Sequence, residues 1–157
     1  MRAGAGFTLI ELLMVLAILA VLMAITAPSM RAFMDSQIVK TPASDLYASL
    51  VLARSEAIKR NSAVDLVPSG ADWATGWQVR AAGTVLRVQE AYPRLSIAAS
   101  SGGTVTYGGN GRLSTSATTF RVTVPGNAEA RMRCVSVDVS GRPNVRVDRN
   151  TDQAACD

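Results

Sequence analysis

Residues 12–25, LLMVLAILAVLMAI, run for 14 positions without a polar side chain. Extended to 7–27 the stretch reaches 21 residues, interrupted only by Thr8, Glu11 and Thr26. As a helix it covers about 30 Å, the thickness of a bilayer core. A cleaved secretory signal with Arg2 as its basic region is the competing reading. The block is long for that, and ITAPSM offers only a weak cleavage site before the polar sequence starts. A retained single span fits better. Arg2 and the amino terminus favour an N-terminus inside and the bulk of the chain outside. Glu11 is the anomaly, because a carboxylate near one end of a membrane helix needs a partner or a proton. No cation lies within a turn of it, except an amino terminus made by a cut shortly before Phe7. The plainer reading of Glu11 is an interfacial carboxylate facing headgroups.

The stretch AGFTLIELLMVLAILAVLMAI, residues 5–25, resembles the class III signal and N-terminal helix of type IV pilins and type II secretion pseudopilins. The resemblance implies that a prepilin peptidase cuts between Gly6 and Phe7 and methylates the new amino terminus of Phe7. Glu11 becomes the fifth mature residue, which in the family meets the amino terminus of a neighbouring subunit, and Pro28 matches the proline at the helix bend. It also implies an inner-membrane assembly platform and other pilins or pseudopilins as partners. The physical reading agrees: a cut at Gly6 creates the ammonium that Glu11 lacks, and a paired charge in low dielectric specifies register.

Beyond the span the pattern is amphipathic. Phe33, Ile38, Leu46, Leu50, Ala53, Ala57 and Ile58 give one apolar face, widened by Tyr47, Val51 and Leu52. Arg54, Glu56, Lys59 and Arg60 give the opposite face charge. Pro28 and Pro42 each remove a hydrogen bond, which predicts a bend, or a break with a restart capped by Thr41 or Ser44. The helix is predicted to end near Asn61, about 80 Å from Phe7 if straight. After Ala63 the helical period disappears. Short alternating segments at 63–67, 76–80, 85–89, 95–98, 105–107, 119–124, 132–139 and 144–147 read as strands, separated by Gly, Pro and Asn turns. No stretch there is fit for a βαβ crossover, which excludes a Rossmann-type site.

A second resemblance lies here. ASLVLARSEAIKRNSAVDL (48–66), WATGWQV (73–79) and the late Gly141-Arg142, bracketed by Cys134 and Cys156, are similar to the GspH/FimT group of minor pilins and pseudopilins, and nearest its FimT/FimU-like branch. The implied fold is α+β: a long N-terminal helix packed on a β-sandwich-like head of antiparallel sheets. The implied division is a leader (1–6), a transmembrane and filament-core helix (7–27), its amphipathic continuation (28–61) and a β-rich head (62–157).

Composition narrows the chemistry. The 157 residues hold no His and 2 Cys, which removes histidine bases, His-containing metal sites and all-cysteine zinc sites. Ser55 beside Glu56 has no imidazole to activate it. The glycine-rich GGNG at 108–111 lacks the following Lys-Ser/Thr of a phosphate loop. No enzyme and no cofactor is indicated. Trp73 and Trp77 read as core or turn anchors. With the head outside the cytoplasm Cys134 and Cys156 form a disulfide that tethers the tail; the alternative is two buried thiols.

Charge is modest, 16 Lys+Arg against 12 Asp+Glu, but uneven. Residues 112–149 carry seven Arg and three acids, a net +4. Arg131 and Arg133, outward on one strand, would share a face. Guanidinium groups on a scaffold with few aromatics suit phosphate contact rather than base reading. Members of the FimT-like group in transformable bacteria are implicated in DNA uptake through a C-terminal Gly-Arg-containing arginine motif. In this chain the corresponding segment reads GRPNVRV. The resemblance thus implies contact with double-stranded DNA through Arg142 and Arg146, with Arg131, Arg133 and Arg149 in support; solubilising charge and subunit pairing are the alternative. The function implied is a minor pilin serving type IV pilus assembly, motility and DNA uptake, inserted in the bacterial inner membrane with its head in the periplasm. The alternative is the H pseudopilin of a type II secretion system. Mass spectrometry of the membrane-extracted chain is predicted to show the loss of six residues, the gain of one methyl group and the loss of two hydrogens.

Overall fold

The computed structural model describes residues 8–101, 103–127, 131–148 and 156, with side chains for all of these except 25–29, 31 and 32. Gly6, Phe7 and Arg149 lie outside the described residues. Helix α1 (Leu9–Ile38) starts at an N-cap, Thr8, whose hydroxyl accepts from the Glu11 N–H at 3.3 Å. Thr-x-x-Glu is the sequence of a capping box, and Glu11 also places negative charge in the first turn. Every described side chain from residue 9 to 24 is exposed. A helix apolar on all sides has no face to turn toward its own head, and needs other apolar matter around it. Among the described residues no helix is long and apolar enough to cross a membrane; the described side chains break off at Ala24 and resume at Met30.

The two prolines behave differently. α1 is unbroken through position 28, so no break with a restart occurs there. The break comes at Val39, and α2 (Lys40–Arg60) follows at once. Pro42 has no N–H to offer the Ile38 carbonyl four residues back, and it is tolerated because the first turn of a helix needs no such donor. Val39 stays near helical values (φ −73°, ψ −15°) and is the N-cap of α2 with no side-chain cap bond, so neither Thr41 nor Ser44 caps the restart. α2 ends as its sequence predicts. Asn61 takes the left-handed conformation (φ 47°, ψ 41°), and Ser62 N–H closes back on the Ala57 carbonyl at 3.2 Å, a Schellman ending.

Among the described residues the head holds eight strands: β1 (Val64–Pro68), β2 (Trp77–Ala81), β3 (Thr84–Gln89), β4 (Ser96–Ala99), β5 (Val105–Tyr107), β6 (Thr118–Thr123), β7 (Arg133–Val137) and β8 (Pro143–Val147). They form two antiparallel sheets, ordered β3-β2-β1-β5 and β4-β6-β7-β8. α2 packs on β1 and β2 of the first and on β7 and β8 of the second. Leu46, Leu50, Ala53 and Ala57, spaced on one helical face, are fully buried against Leu66, Trp77, Val79, Ile97, Phe120 and Val135. The buried face of α2 is narrower than the sequence pattern suggests: Tyr47, Val51 and Ile58 are exposed, as is Phe33 on α1.

Both tryptophans belong to the core. Trp73 meets Phe120 edge-on at 4.8 Å, and Trp77 stacks on Tyr92 at 5.9 Å. The indole N–H of Trp77 donates to Ser49 Oγ at 2.9 Å, and that hydroxyl donates to the Asp45 carbonyl at 2.8 Å. The Tyr92 hydroxyl donates to the Asp45 carboxylate at 2.5 Å and accepts from Gln89 Nε2 at 2.8 Å. Burial, then this hydrogen bond to Asp45, pushes the Tyr92 hydroxyl well above the ordinary phenol range. One helical turn of α2 is thereby bound by polar contacts to the first sheet and the loop that follows it. Replacing Ser49→Ala strands the buried Trp77 N–H and is expected to cost about 1–3 kcal/mol, read as a lower urea midpoint with Trp emission as the probe.

Candidate assembly helix and arginine-bearing sheet

Two regions carry the candidate functional residues. The first is the start of α1, where Thr8 and Glu11 share the cap described above. The second is the β7–β8 hairpin. Its turn is organised by Asp138, whose carboxylate accepts from Ser140 Oγ at 2.5 Å and from the Arg142 N–H at 3.4 Å, while its carbonyl accepts from the Gly141 N–H at 2.9 Å. The Ser140 hydrogen bond, more than the nearby Arg142 contacts, holds the Asp138 carboxyl below the usual carboxylate range. A lowered carboxyl contributes stability above its unfolded-state value, which is lost as the pH falls through the folded one. The turn therefore keeps its form at neutral pH and loosens only in acid.

Gly141 joins this turn to the rest of the head. It is buried and adopts φ +80°. A Cβ there would collide with the Gly111 carbonyl oxygen and approach Tyr107 Cε1 at 3.1 Å. The Leu113 N–H donates to the Val139 carbonyl at 3.3 Å, closing the same junction. Tyr107 is fully buried below it, and burial is the main cause that raises its hydroxyl. Arg142 emerges from the turn exposed, and Arg146 is exposed on β8.

The strand register sorts the arginines. Paired residues on neighbouring strands point to the same face. Arg121 on β6, Cys134 on β7 and Arg146 on β8 form one row across the second sheet, on the face away from Phe120 and Val135. Arg133 pairs with Val122 and Val147 and so belongs to the opposite, core-side face, where it is half-buried at the sheet end. Arg131 precedes β7, and its N–H donates to Ser36 Oγ of α1 at 3.4 Å. The expected outward face shared by Arg131 and Arg133 does not exist. Arg131 is exposed ahead of β7, with its backbone N–H bound to Ser36 of α1, and Arg133 follows the parity of its buried neighbours. Arg121 was counted with the basic third but not singled out by the sequence. Its position between core residues Phe120 and Val122 is the signal for an outward side chain. Cys134 and Cys156 are disulfide-bonded, with Cα atoms 5.9 Å apart, so Cys156 is held at Cys134, which stands between Arg121 and Arg146 in the row. A loop of 22 residues closed this way gains about 3 kcal/mol by restricting the unfolded chain. Among the described residues no group of acids and cysteines is arranged to hold a metal ion.

A helix carrying a head of two antiparallel sheets is the pilin architecture, and solved structures share it. The type IV minor pilin FimU of Pseudomonas aeruginosa matches in two crystal forms. One has a TM-score of 0.64 at 23% identity over 76% of this chain and 98% of that one; the other has 0.61 at 24% over 71% and 98%. The minor pseudopilin EpsH from the type 2 secretion system of Vibrio cholerae matches with a TM-score of 0.56 at 13% identity, over 69% of this chain and 96% of that one. These likenesses show the fold. No curated protein matches in sequence. A family model described as type II transport protein GspH matches residues 43–141, and a prokaryotic N-terminal methylation motif matches residues 1–27. The chain belongs to the GspH family. That is a family of pilin-like structural subunits.

The two halves of the Gly-Arg pair are separable by mutation. Gly141→Ala is expected to cost about 2–4 kcal/mol through backbone strain and the collision with Gly111. Arg142→Ala, on an exposed side chain, is expected to change the unfolding midpoint by less than about 0.5 kcal/mol.

Proposed function

We propose that the chain is a minor pilin of a type IV pilus, supporting pilus assembly and motility. In this reading residues 1–6 are a leader removed by the prepilin peptidase, and Phe7 is the methylated first residue. Residues 7–27 hold the subunit in the bacterial inner membrane as a single pass, with the head in the periplasm, until the assembly platform draws it into the filament among other pilins. Residues 28–61 continue the helix and residues 62–157 form the head. The observation that carries this is α1: capped as a helix at Thr8, yet with every described side chain from residue 9 to 24 exposed. Sister helices in a filament supply the apolar surroundings that such a stretch requires. Glu11, one turn into the mature chain, pairs with the amino terminus of a neighbour and sets axial register; Pro28 marks the bend.

The disulfide-tied tail and the FimU likeness support the pilus. The family model and the EpsH likeness support a second reading, the H pseudopilin of a type II secretion system. A deletion strain separates them: loss of twitching with secretion intact fits the first, and loss of exported enzymes with twitching intact fits the second. The finer part of the proposal is contact with duplex DNA through Arg142 and Arg146, both exposed on the β7–β8 hairpin. Arg133 has the opposite parity on β7 and is half-buried, so it does not share that surface, whereas Arg131 is exposed ahead of β7. For assembly itself, Glu11→Ala is expected to reduce incorporation into sheared filaments by at least about tenfold, the loss of one buried charge pair worth more than 1.4 kcal/mol. Wild-type incorporation by that variant would overturn the register role.

A further inference from the structure

We infer that Gly111-Arg112 is the structural partner of Gly141-Arg142, and that Arg112 is an additional phosphate contact for duplex DNA beside Arg142. This rests on the DNA reading above and names a residue 30 positions before that Gly-Arg segment. The two pairs are built alike. In each turn the glycine N–H donates to the carbonyl three residues back, Gly111 to Gly108 at 2.8 Å and Gly141 to Asp138 at 2.9 Å. Each glycine is buried at positive φ, +73° and +80°. Each following arginine is exposed, and its N–H is held by a side-chain oxygen two or four residues back. Arg112 donates to Asn110 Oδ1 at 3.0 Å, and Arg142 donates to Asp138 Oδ1 at 3.4 Å. The glycines also meet each other, since a Cβ at Gly141 would collide with the Gly111 carbonyl oxygen. Each arginine is one residue from that contact, so at about 3.8 Å per Cα step their Cα atoms lie within roughly 10 Å of each other. Duplex DNA presents one phosphate charge per about 1.7 Å of axis, so one stretch of backbone can meet both.

The surroundings suit the same ligand. Among the described residues neither guanidinium has an ion pair or a hydrogen bond within the chain. On the α2 side of the loop Arg54 adds charge. Its Nε is buried without a hydrogen-bond partner, 3.4 Å from where a Cβ at Gly111 would stand. Glu56 on α2 is held by Arg60 and Lys59. Asp138 is the acid of the β7–β8 turn, and its carboxylate already accepts from the Ser140 hydroxyl and the Arg142 N–H. Three arginines against this one carboxylate leave the junction positive. Its aromatic, Tyr107, is fully buried, so the surface offers charge without a stacking platform, which favours duplex backbone over unpaired bases. Cys134, where Cys156 is attached, lies four residues before Asp138, about 13 Å along β7. β8 runs away from the turn to end at Val147.

The test is gel retardation of a duplex by the full chain in neutral detergent micelles, from about 50 mM salt upward. Wild type is compared with Arg112→Ala, Arg112→Lys, Arg142→Ala and Arg94→Ala, each checked for an intact disulfide and an unchanged circular dichroism spectrum. Arg94 is the control, exposed at the other end of the head. Tyr92, two residues before it, bonds Asp45, which lies about 20 Å along α2 from Ile58 at the junction. Arg112→Ala and Arg142→Ala are each expected to weaken binding across all sequences and to reduce the slope of log affinity against log salt by about 1. Arg112→Lys keeps the slope, and Arg94→Ala matches wild type. If wild type fails to retard the duplex at low salt, or Arg142→Ala binds as wild type does, the DNA reading itself falls and the inference with it. If Arg142→Ala weakens binding while Arg112→Ala does not, or if Arg94→Ala weakens it as much as Arg112→Ala, the inference alone is overturned.

Discussion

The seat of α2 is the constraint on which the head depends. Among the described residues the two sheets share no strand, and no hydrogen-bonded ladder joins them. What unites them is the fully buried stripe of Leu46, Leu50, Ala53 and Ala57, with β1 and β2 on one side and β7 and β8 on the other. The stripe changes from leucine to alanine along the helix. Polar contacts then fix the rotation of the helix: Ser49 receives the Trp77 indole and Asp45 receives Tyr92. Apolar burial supplies the stability and these directional bonds supply the register, a division expected where a smooth helix face meets two sheets.

The same helix couples the head to α1. α1 and α2 meet at one residue, Val39, which is fully buried and keeps near-helical backbone angles. The loop before β7 adds a side contact, through Asn127 Nδ2 to Asp35 at 2.7 Å and the Arg131 N–H to Ser36. The end of α1 is therefore held by the head as well as by its own ladder. An apolar helix handed to a filament carries the head with it through contacts that do not require α1 itself to be buried in the monomer.

Much of this was legible in the sequence. All eight strands fall where alternation and turn residues place them, because each is short, antiparallel and bounded by Gly, Pro or Asn. The Asn61 stop was legible for the same local reason. What failed were features set by tertiary context. The prolines looked equivalent, yet α1 runs on through position 28, whereas at Pro42 the missing donor falls where a new first turn can absorb it. Tyr47, Val51 and Ile58 extend an apolar pattern but stay exposed, since two sheets cover only part of a helix circumference. Arg131 and Arg133 alternate correctly, yet β7 begins only at Arg133, and that residue takes the parity of buried Val135. Alternation assigns residues to two faces without saying which one is outside; the buried Phe120 and Val122 around Arg121 decide it.

Gly141 and Arg142 illustrate why adjacent residues in a motif need not share a role. The glycine faces inward, in a conformation and a space that exclude a side chain, and ties the hairpin to the Gly111 and Tyr107 junction. The arginine follows it outward, with its own N–H held by Asp138. A side chain added at 141 would push the hairpin off that junction and carry Arg142 and β8 with it. The position of every charge on β8 thus depends on an absence of atoms at one residue. A Gly-Arg pair is therefore a geometric unit, in which the first residue fixes where the second is displayed.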